Sequence, residues 1–114
     1  MTIERFGTTA RYSDVVAHGG IVYLVEVPHS LEADIATQVK EVLASIEALL
    51  AQAGSDKSKL LQVTIYLRDM ADYATLNELW DAWVPAGTAP SRACLEAKLA
   101  NPGYGVEMVV MAAR

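Results

Sequence analysis

The sequence predicts an α+β fold, in which a mixed sheet of about five or six strands carries two helices on one face. Several segments alternate between apolar and polar residues with a period of two, which indicates strands. In two other segments the apolar residues recur every three or four positions, which indicates amphipathic helices. The predicted order is β-β-β-α-β-α-β-β. A length of 114 residues suits a single domain spanning 1–114.

The N-terminal quarter predicts three strands. Residues 2–6 alternate weakly and predict a short first strand. Two apolar runs follow, Ser13 to Ala17 and Ile21 to Val25, and they flank the pair Gly19-Gly20. A Gly-Gly pair between two such runs is typical of a β-hairpin turn, so these runs predict the second and third strands.

Two segments have the helical period. The first runs from Asp34 to Ala53 and is followed by Gly54, which suits a C-terminal cap. The second begins after Asp72, which we interpret as its N-cap. The apolar residues on the predicted inner faces are Ile35, Val39, Val42, Leu43, Ile46, Leu49 and Leu50 in the first helix, and Tyr73, Leu76, Leu79, Trp80 and Trp83 in the second.

Three further strands complete the pattern. Leu61 to Leu67 alternates, with Leu61, Val63, Ile65 and Leu67 expected on one face. A loop from Pro85 to Pro90 precedes the last two strands, Ser91 to Leu99 and Val106 to Ala113, which Asn101-Pro102-Gly103 connects.

The last strand is apolar on both faces, because Val109 and Met111 alternate with Val110 and Ala112. Two helices can cover only one face of the predicted sheet. An apolar face that the chain cannot cover itself predicts burial against another subunit.

Composition excludes several function classes. Nine Lys and Arg residues against 14 Asp and Glu residues give a net charge of −5, which argues against nucleic-acid binding. One cysteine, Cys94, and two histidines, His18 and His29, leave no zinc-type ligand cluster. We find no apolar run of about 20 residues for a membrane span and no secretory signal, so we expect a cytoplasmic location with no membrane partner.

Three stretches carry a family resemblance. They are Thr64 to Tyr73 followed by Asn77, Ala89 to Glu96, and Val106 to Met108. In this order and at this spacing, they resemble the Rid family of reactive-intermediate deaminases, also called the YjgF family and long labelled endoribonuclease L-PSP. Pro28 stands where that family has a proline after a strand, and Trp80-Asp81-Ala82-Trp83 is closest to the YoaB-like branch.

The resemblance implies a chorismate-mutase-like α+β fold and a homotrimer with three clefts between subunits. It further implies hydrolysis of reactive 2-imino or 2-enamino acids to 2-oxo acids and ammonia, in the manner of a 2-iminobutanoate or 2-iminopropanoate deaminase. No metal or organic cofactor is expected, and the expected partner is a small carboxylate or imino acid.

Two residues are the candidate catalytic groups. Arg92 begins a strand, and its guanidinium can clamp a substrate carboxylate with two parallel hydrogen bonds. From its position alone, a solvated strand-end residue or half of an ion pair between subunits is the favoured interpretation. Glu107 lies in an apolar strand, where it either holds an attacking water or pairs with Arg92 or Lys98. The resemblance implies that Arg92 binds the carboxylate and that Glu107 orients the water.

Tyr12 and Cys94 are the further substrate-binding candidates. By resemblance, Tyr12 contributes its ring and hydroxyl to the cleft of a neighbouring subunit; the alternative is a packed strand aromatic. Cys94 is expected to face the ligand with its backbone carbonyl, because the sequence identifies no base that would activate its thiol.

The chain departs from the family pattern before Pro28. Leu24-Val25-Glu26-Val27 replaces the usual Ser-Gly-Gln, so a serine hydroxyl is missing and Glu26 adds a negative charge. Ala10-Arg11 replaces the usual Gly-Pro before Tyr12. These changes leave a non-catalytic trimeric sensor of small carboxylates as the alternative function. An RNA-cleaving enzyme is a second rival, which the acidic charge and the lack of a His pair disfavour.

Overall fold

In the computed structural model, which describes residues 1–114, one mixed sheet of six strands forms the body of the molecule. In space the strands follow the order β1-β2-β3-β6-β4-β5; all neighbours are antiparallel except β4 and β5, which are parallel. The strands are β1 (Glu4–Phe6), β2 (Val15–His18), β3 (Ile21–Glu26), β4 (Leu60–Leu67), β5 (Ser91–Glu96) and β6 (Val106–Ala113).

Two helices, α1 (Ile35–Gln52) and α2 (Tyr73–Trp83), cover one face of this sheet. Their apolar residues and the inward side chains of the strands form one core of 20 buried residues. The molecule measures only 20 Å along its shortest axis, which corresponds to one sheet layer and one helix layer. Neither helix has the length and apolarity required to cross a membrane. The predicted fold class and element order are confirmed.

The predicted hairpin turn and the predicted C-terminal cap of α1 are confirmed, and the structure adds an N-cap at Asp34 that was not predicted. Gly19 and Gly20 have φ values of 60° and 83°, a conformation that favours glycine in a two-residue hairpin turn. Asp34 accepts a hydrogen bond from the Thr37 N–H at 2.8 Å and so caps α1. At the other end of α1, Gly54 has a φ of 80°, and the Ser55 N–H bonds back to the Leu50 carbonyl at 2.8 Å.

Two local predictions were wrong, and a third was right only in position. Leu61 is exposed, because a bulge between Leu60 and Gln62 shifts the alternation of β4 and buries Leu60 instead. Asp72 holds the predicted N-cap position of α2 but makes no side-chain capping bond; Asp69 accepts from the Ala71 N–H and caps a 3-10 turn, Met70–Asp72, that leads into α2. The fifth strand ends at Glu96 rather than at Leu99.

The second face of the sheet has no helix over it. Tyr23, Val25 and Leu95 on this face are between 41% and 48% exposed. Strand pairing places Val109 opposite Val25 and Met111 opposite Tyr23. This open face is therefore apolar on the neighbouring strands β3 and β6 and at Leu95 on the edge strand β5, as the sequence predicted.

A buried glutamine joins two loops at one end of the sheet. Gln38 on α1 is 2% exposed, and its amide nitrogen donates to the carbonyls of Ser30 at 3.0 Å and Gly103 at 2.9 Å. Its amide oxygen accepts from the Gly105 N–H at 2.7 Å. Gln38 thus fixes the segment after β3 against the segment that leads into β6.

We predict that Gln38→Leu lowers the free energy of unfolding by about 2–4 kcal/mol, because it leaves several buried backbone groups without a partner. Gln52→Leu is the matched control, since Gln52 is exposed on the same helix; its effect should stay within about 0.5 kcal/mol. Urea unfolding at one fixed protein concentration measures both variants. Equal midpoints for the two would contradict the structural role of Gln38.

Candidate functional site

Arg92 lies near the start of β5, which is an edge strand of the sheet. It pairs with the buried residue Val63, so its side chain points to the face that the helices cover. There its Nη2 atom donates to the Tyr73 hydroxyl at 3.1 Å and to the Asn77 side-chain oxygen at 2.9 Å. Both partners belong to α2, so the helix orients the guanidinium.

Two aromatic rings further restrain this guanidinium. Its central carbon lies 5.4 Å from the centroid of the Trp80 ring and 5.8 Å from that of Tyr73, within the range of cation–π attraction. The two ion pairs of the chain are Lys57–Glu47 and Arg114–Glu4, and neither includes Arg92. Arg92 therefore carries a positive charge that is held by neutral groups alone, which is the arrangement an anion-binding site needs.

Cys94 shares this face and is partly buried beside Arg92. Burial raises the pKa of its thiol, and the neighbouring Arg92 charge lowers that pKa by a smaller amount. A thiol with a raised pKa stays protonated at neutral pH and is a poor nucleophile. That the Cys94 carbonyl faces a ligand stays a prediction.

Glu107 lies on the opposite face of the sheet. Its neighbours in the chain, Val106 and Met108, both point into the core, so Glu107 points to the open face. It lines a cavity of about 340 Å³ together with Tyr66, Val109 and the segment 97–100. Lys98 lines the same cavity without an ion pair to Glu107, and Arg92 forms none either.

Arg92 and Glu107 therefore do not meet within one chain. Arg92 pairs with Val63 on one side of β4, and Glu107 pairs with Tyr66 on its other side. Ordinary strand dimensions then separate their Cα atoms by about 14 Å, with the side chains directed to opposite faces. A substrate bound at Arg92 cannot reach a water on Glu107 of the same chain.

Tyr12 lies in the loop between β1 and β2, far across the sheet from Arg92. It lines a cleft of about 580 Å³ that also contains Asp14, Glu26 and Tyr104. Its side chain is 62% exposed and is not a packed strand aromatic. The loop itself is held, since the Thr9 N–H donates to the Tyr12 carbonyl at 2.7 Å.

Glu26 ends β3 and lines the same cleft as Tyr12. Burial raises the pKa of its carboxyl group, while the Val27 N–H, at 3.3 Å from Oε2, and the charge of His29 lower that pKa to a smaller extent. Glu26 therefore places a negative charge on this cleft, where it would oppose the binding of a carboxylate.

Sequence reasoning did not assign a role at the site to Tyr73, Asn77 or Trp80. They are spaced by four and three residues on α2, so they share one helix face, and that face meets Arg92. The spacing was visible in the sequence, but only the register of β5 shows which residue it faces. No group of three or more His, Cys, Asp or Glu side chains is arranged to hold a metal ion.

The comparisons with known proteins agree with this fold. The family model described as endoribonuclease L-PSP matches residues 2–114. RutC family protein YoaB of Escherichia coli strain K12 is 48% identical over 113 residues, covering 99% of each chain. A RutC family protein of Haemophilus influenzae is 47% identical over 114 residues, covering 98% of each chain.

A solved structure of a related protein has the same fold over the whole chain. A crystal structure of a YjgF family member from Neisseria meningitidis is 49% identical, covers 100% of this chain and 96% of its own, and superimposes with a TM-score of 0.96. The resemblance to the YoaB-like branch is confirmed. Matches that span the whole chain in family model, sequence and structure show that this protein belongs to the Rid family, also called the YjgF or RutC family.

Proposed function

We propose that the protein hydrolyses reactive 2-imino and 2-enamino acids to 2-oxo acids and ammonia, in the cytoplasm and without a cofactor. The observation that carries this proposal is the guanidinium of Arg92, which α2 orients and which no carboxylate of the chain neutralises. Membership in the Rid family supports the same reaction.

The proposed catalytic unit is a homotrimer with one cleft between each pair of chains. Tyr12 and the open-face residues Tyr23, Val25 and Leu95 are exposed in the single chain, and Val109 and Met111 are half-buried. Burial of that face against other copies would cover it and would bring the Tyr12 loop of one chain to another. A closed ring of three chains uses the same contact three times and leaves no face unpaired.

In the proposed reaction, Arg92 of one chain binds the substrate carboxylate and Glu107 of a neighbouring chain holds a water molecule. The water oxygen attacks the imine carbon, Glu107 takes a proton from the water, and the imine nitrogen takes a proton from solvent, which gives a neutral carbinolamine. Glu107 then returns its proton to the amino nitrogen, the hydroxyl group loses its proton to solvent as the C–N bond breaks, and ammonia leaves from the 2-oxo acid. Such imines also hydrolyse in water unaided, so positioning and one proton transfer suffice.

A non-catalytic sensor of small carboxylates is the second candidate. The observation in its favour is the wall of the Tyr12 cleft, which Val25, Glu26 and Val27 line without the serine hydroxyl that the family resemblance leads us to expect there. The rival activity, RNA cleavage, is disfavoured by the net charge of −5, which opposes binding to a phosphate backbone.

An ammonia-release assay separates the two candidates. 2-Iminobutyrate or 2-iminopropionate is generated in the reaction, and wild type is compared with Arg92→Ala. A deaminase accelerates ammonia release above the uncatalysed rate, and the variant does not. Carboxylate binding without acceleration would favour the sensor, and RNA binding that weakens steeply with salt would favour the nuclease.

We predict that sedimentation equilibrium gives about three times the chain mass, because the open apolar face needs a cover. Val109→Asp inserts a charge into the centre of that face and should dissociate the trimer, while the exposed-site control Gln52→Glu should not. A wild-type protein that stays monomeric at all concentrations would contradict both the covered face and the site between chains.

Arg92→Lys should lower turnover and carboxylate binding at least ~10-fold, because lysine keeps the charge but loses the planar fork and the paired contacts to Tyr73 and Asn77. Arg68→Lys is the matched control, since Arg68 is exposed and donates to a backbone carbonyl that lysine also reaches. Steady-state kinetics on the imine substrate measure both. Unchanged turnover in Arg92→Lys would show that the carboxylate binds elsewhere.

Glu107→Gln should keep the trimer and its melting temperature but lower the rate about 10²-fold or more, because an amide cannot accept a proton at neutral pH. Glu107 has no cationic partner within the chain, so removal of its charge should cost little stability. Melting temperature and hydrolysis rate are measured on one sample. A large drop in the melting temperature with retained hydrolysis activity would instead identify Glu107 as a structural ion-pair residue of the assembly.

A further inference from the structure

Both hydrogens on one nitrogen of Arg92 are already engaged. Nη2 carries two hydrogens, and it donates to the Tyr73 hydroxyl at 3.1 Å and to the Asn77 side-chain oxygen at 2.9 Å. The hydrogen bonds of the chain include none from Nε or Nη1 of Arg92. The occupied nitrogen is therefore Nη2, and the other two nitrogens are free.

This occupancy matters because of the shape of a guanidinium. A carboxylate binds it in two-pronged fashion either along the Nε–Nη2 edge or along the Nη1–Nη2 edge, since Cδ blocks the third edge. Both available edges include a hydrogen of Nη2. A substrate carboxylate that binds through two parallel bonds must therefore displace either Tyr73 or Asn77 from Arg92.

Of the two hydrogen bonds, the one to the Tyr73 hydroxyl is the one that a substrate carboxylate can displace. It is the longer of the two, and the residue is 40% exposed as the first residue of α2. Asn77 lies one turn further along the helix, is partly buried, and has the shorter bond. Its amide oxygen is also a stronger acceptor than a neutral phenol oxygen.

We propose that the Tyr73 hydroxyl is a displaceable occupant of Arg92 and acts as a specificity residue for the substrate. In the free protein it takes the guanidinium hydrogen that a carboxylate requires. A planar carboxylate must displace it to form two charge-assisted bonds, whereas a ligand with a single acceptor can bind at the free Nε or Nη1 without displacing it. Tyr73 thereby weakens two-pronged carboxylate binding and lowers the preference of the site for carboxylates over ligands with a single acceptor. This inference rests on the proposed function.

The test removes only the hydroxyl. Tyr73→Phe keeps the ring over Arg92 and frees one Nη2 hydrogen. Titration calorimetry with 2-oxobutanoate should then show about 5-fold tighter binding than wild type, the equivalent of one net hydrogen bond, and steady-state kinetics should show a lower KM for the imine. Equal or weaker binding of 2-oxobutanoate by Tyr73→Phe than by wild type would overturn the proposal. So would the absence of 2-oxobutanoate binding by both proteins.

A double variant is the control. If Tyr73 acts through the fork of Arg92, Tyr73→Phe should change nothing in an Arg92→Lys background, because lysine has no fork to occupy. A change of equal size in that background would overturn the proposal. Tighter 2-oxobutanoate binding by Tyr73→Phe, with no ammonia release by either protein, would defeat the proposed deaminase while this inference stood. Ammonia release by both proteins, with identical binding constants for 2-oxobutanoate, would overturn this inference and leave the proposed deaminase intact.

Discussion

The structure depends on one constraint, which is that two helices cover one face of a six-stranded sheet and nothing in the chain covers the other. Side chains on a strand alternate between faces, so each strand commits every second residue to the core and the rest to the open side. On the central strand β6, this alternation buries Met108 and Val110 and leaves Glu107, Val109 and Met111 on the open face. Burial of the apolar residues on the open face would favour association with other chains.

The same constraint divides the candidate site. Arg92 belongs to the covered face, where α2 supplies neutral acceptors and aromatic rings, and Glu107 belongs to the open face. A positive charge without an acidic partner is tolerated at Arg92 because the edge strand leaves it partly exposed to solvent. Glu26, with a pKa that burial raises, lies in the separate cleft around Tyr12. A substrate shared between chains would direct its carboxylate to Arg92 and away from Glu26.

Much of the fold could be predicted, because local signals decided it. The apolar period of α1, the glycine that follows it and the glycine pair in the hairpin all act within a few residues of themselves. The errors arose where a longer-range contact intervened: the bulge at Leu61 depends on how β4 pairs with β6, and β5 ends at Glu96 although its alternation continues. For the site, residue chemistry together with the family resemblance identified Arg92 and Glu107 as candidates. Their opposite directions follow from the pairings of Val63 with Arg92 and of Tyr66 with Glu107, which no single segment of sequence specifies.

The central claim is that Arg92 and Glu107 act on one substrate only when they come from different chains. Mixing the subunits of Arg92→Ala and Glu107→Gln tests it most directly: the two inactive proteins are unfolded together in equal amounts, refolded, and assayed for ammonia release. If each site takes one residue from each of two neighbours, about a quarter of the sites in random trimers contain both intact groups, and about a quarter of wild-type activity returns. A mixture that reassembles into trimers and stays as inactive as its parents would contradict the account.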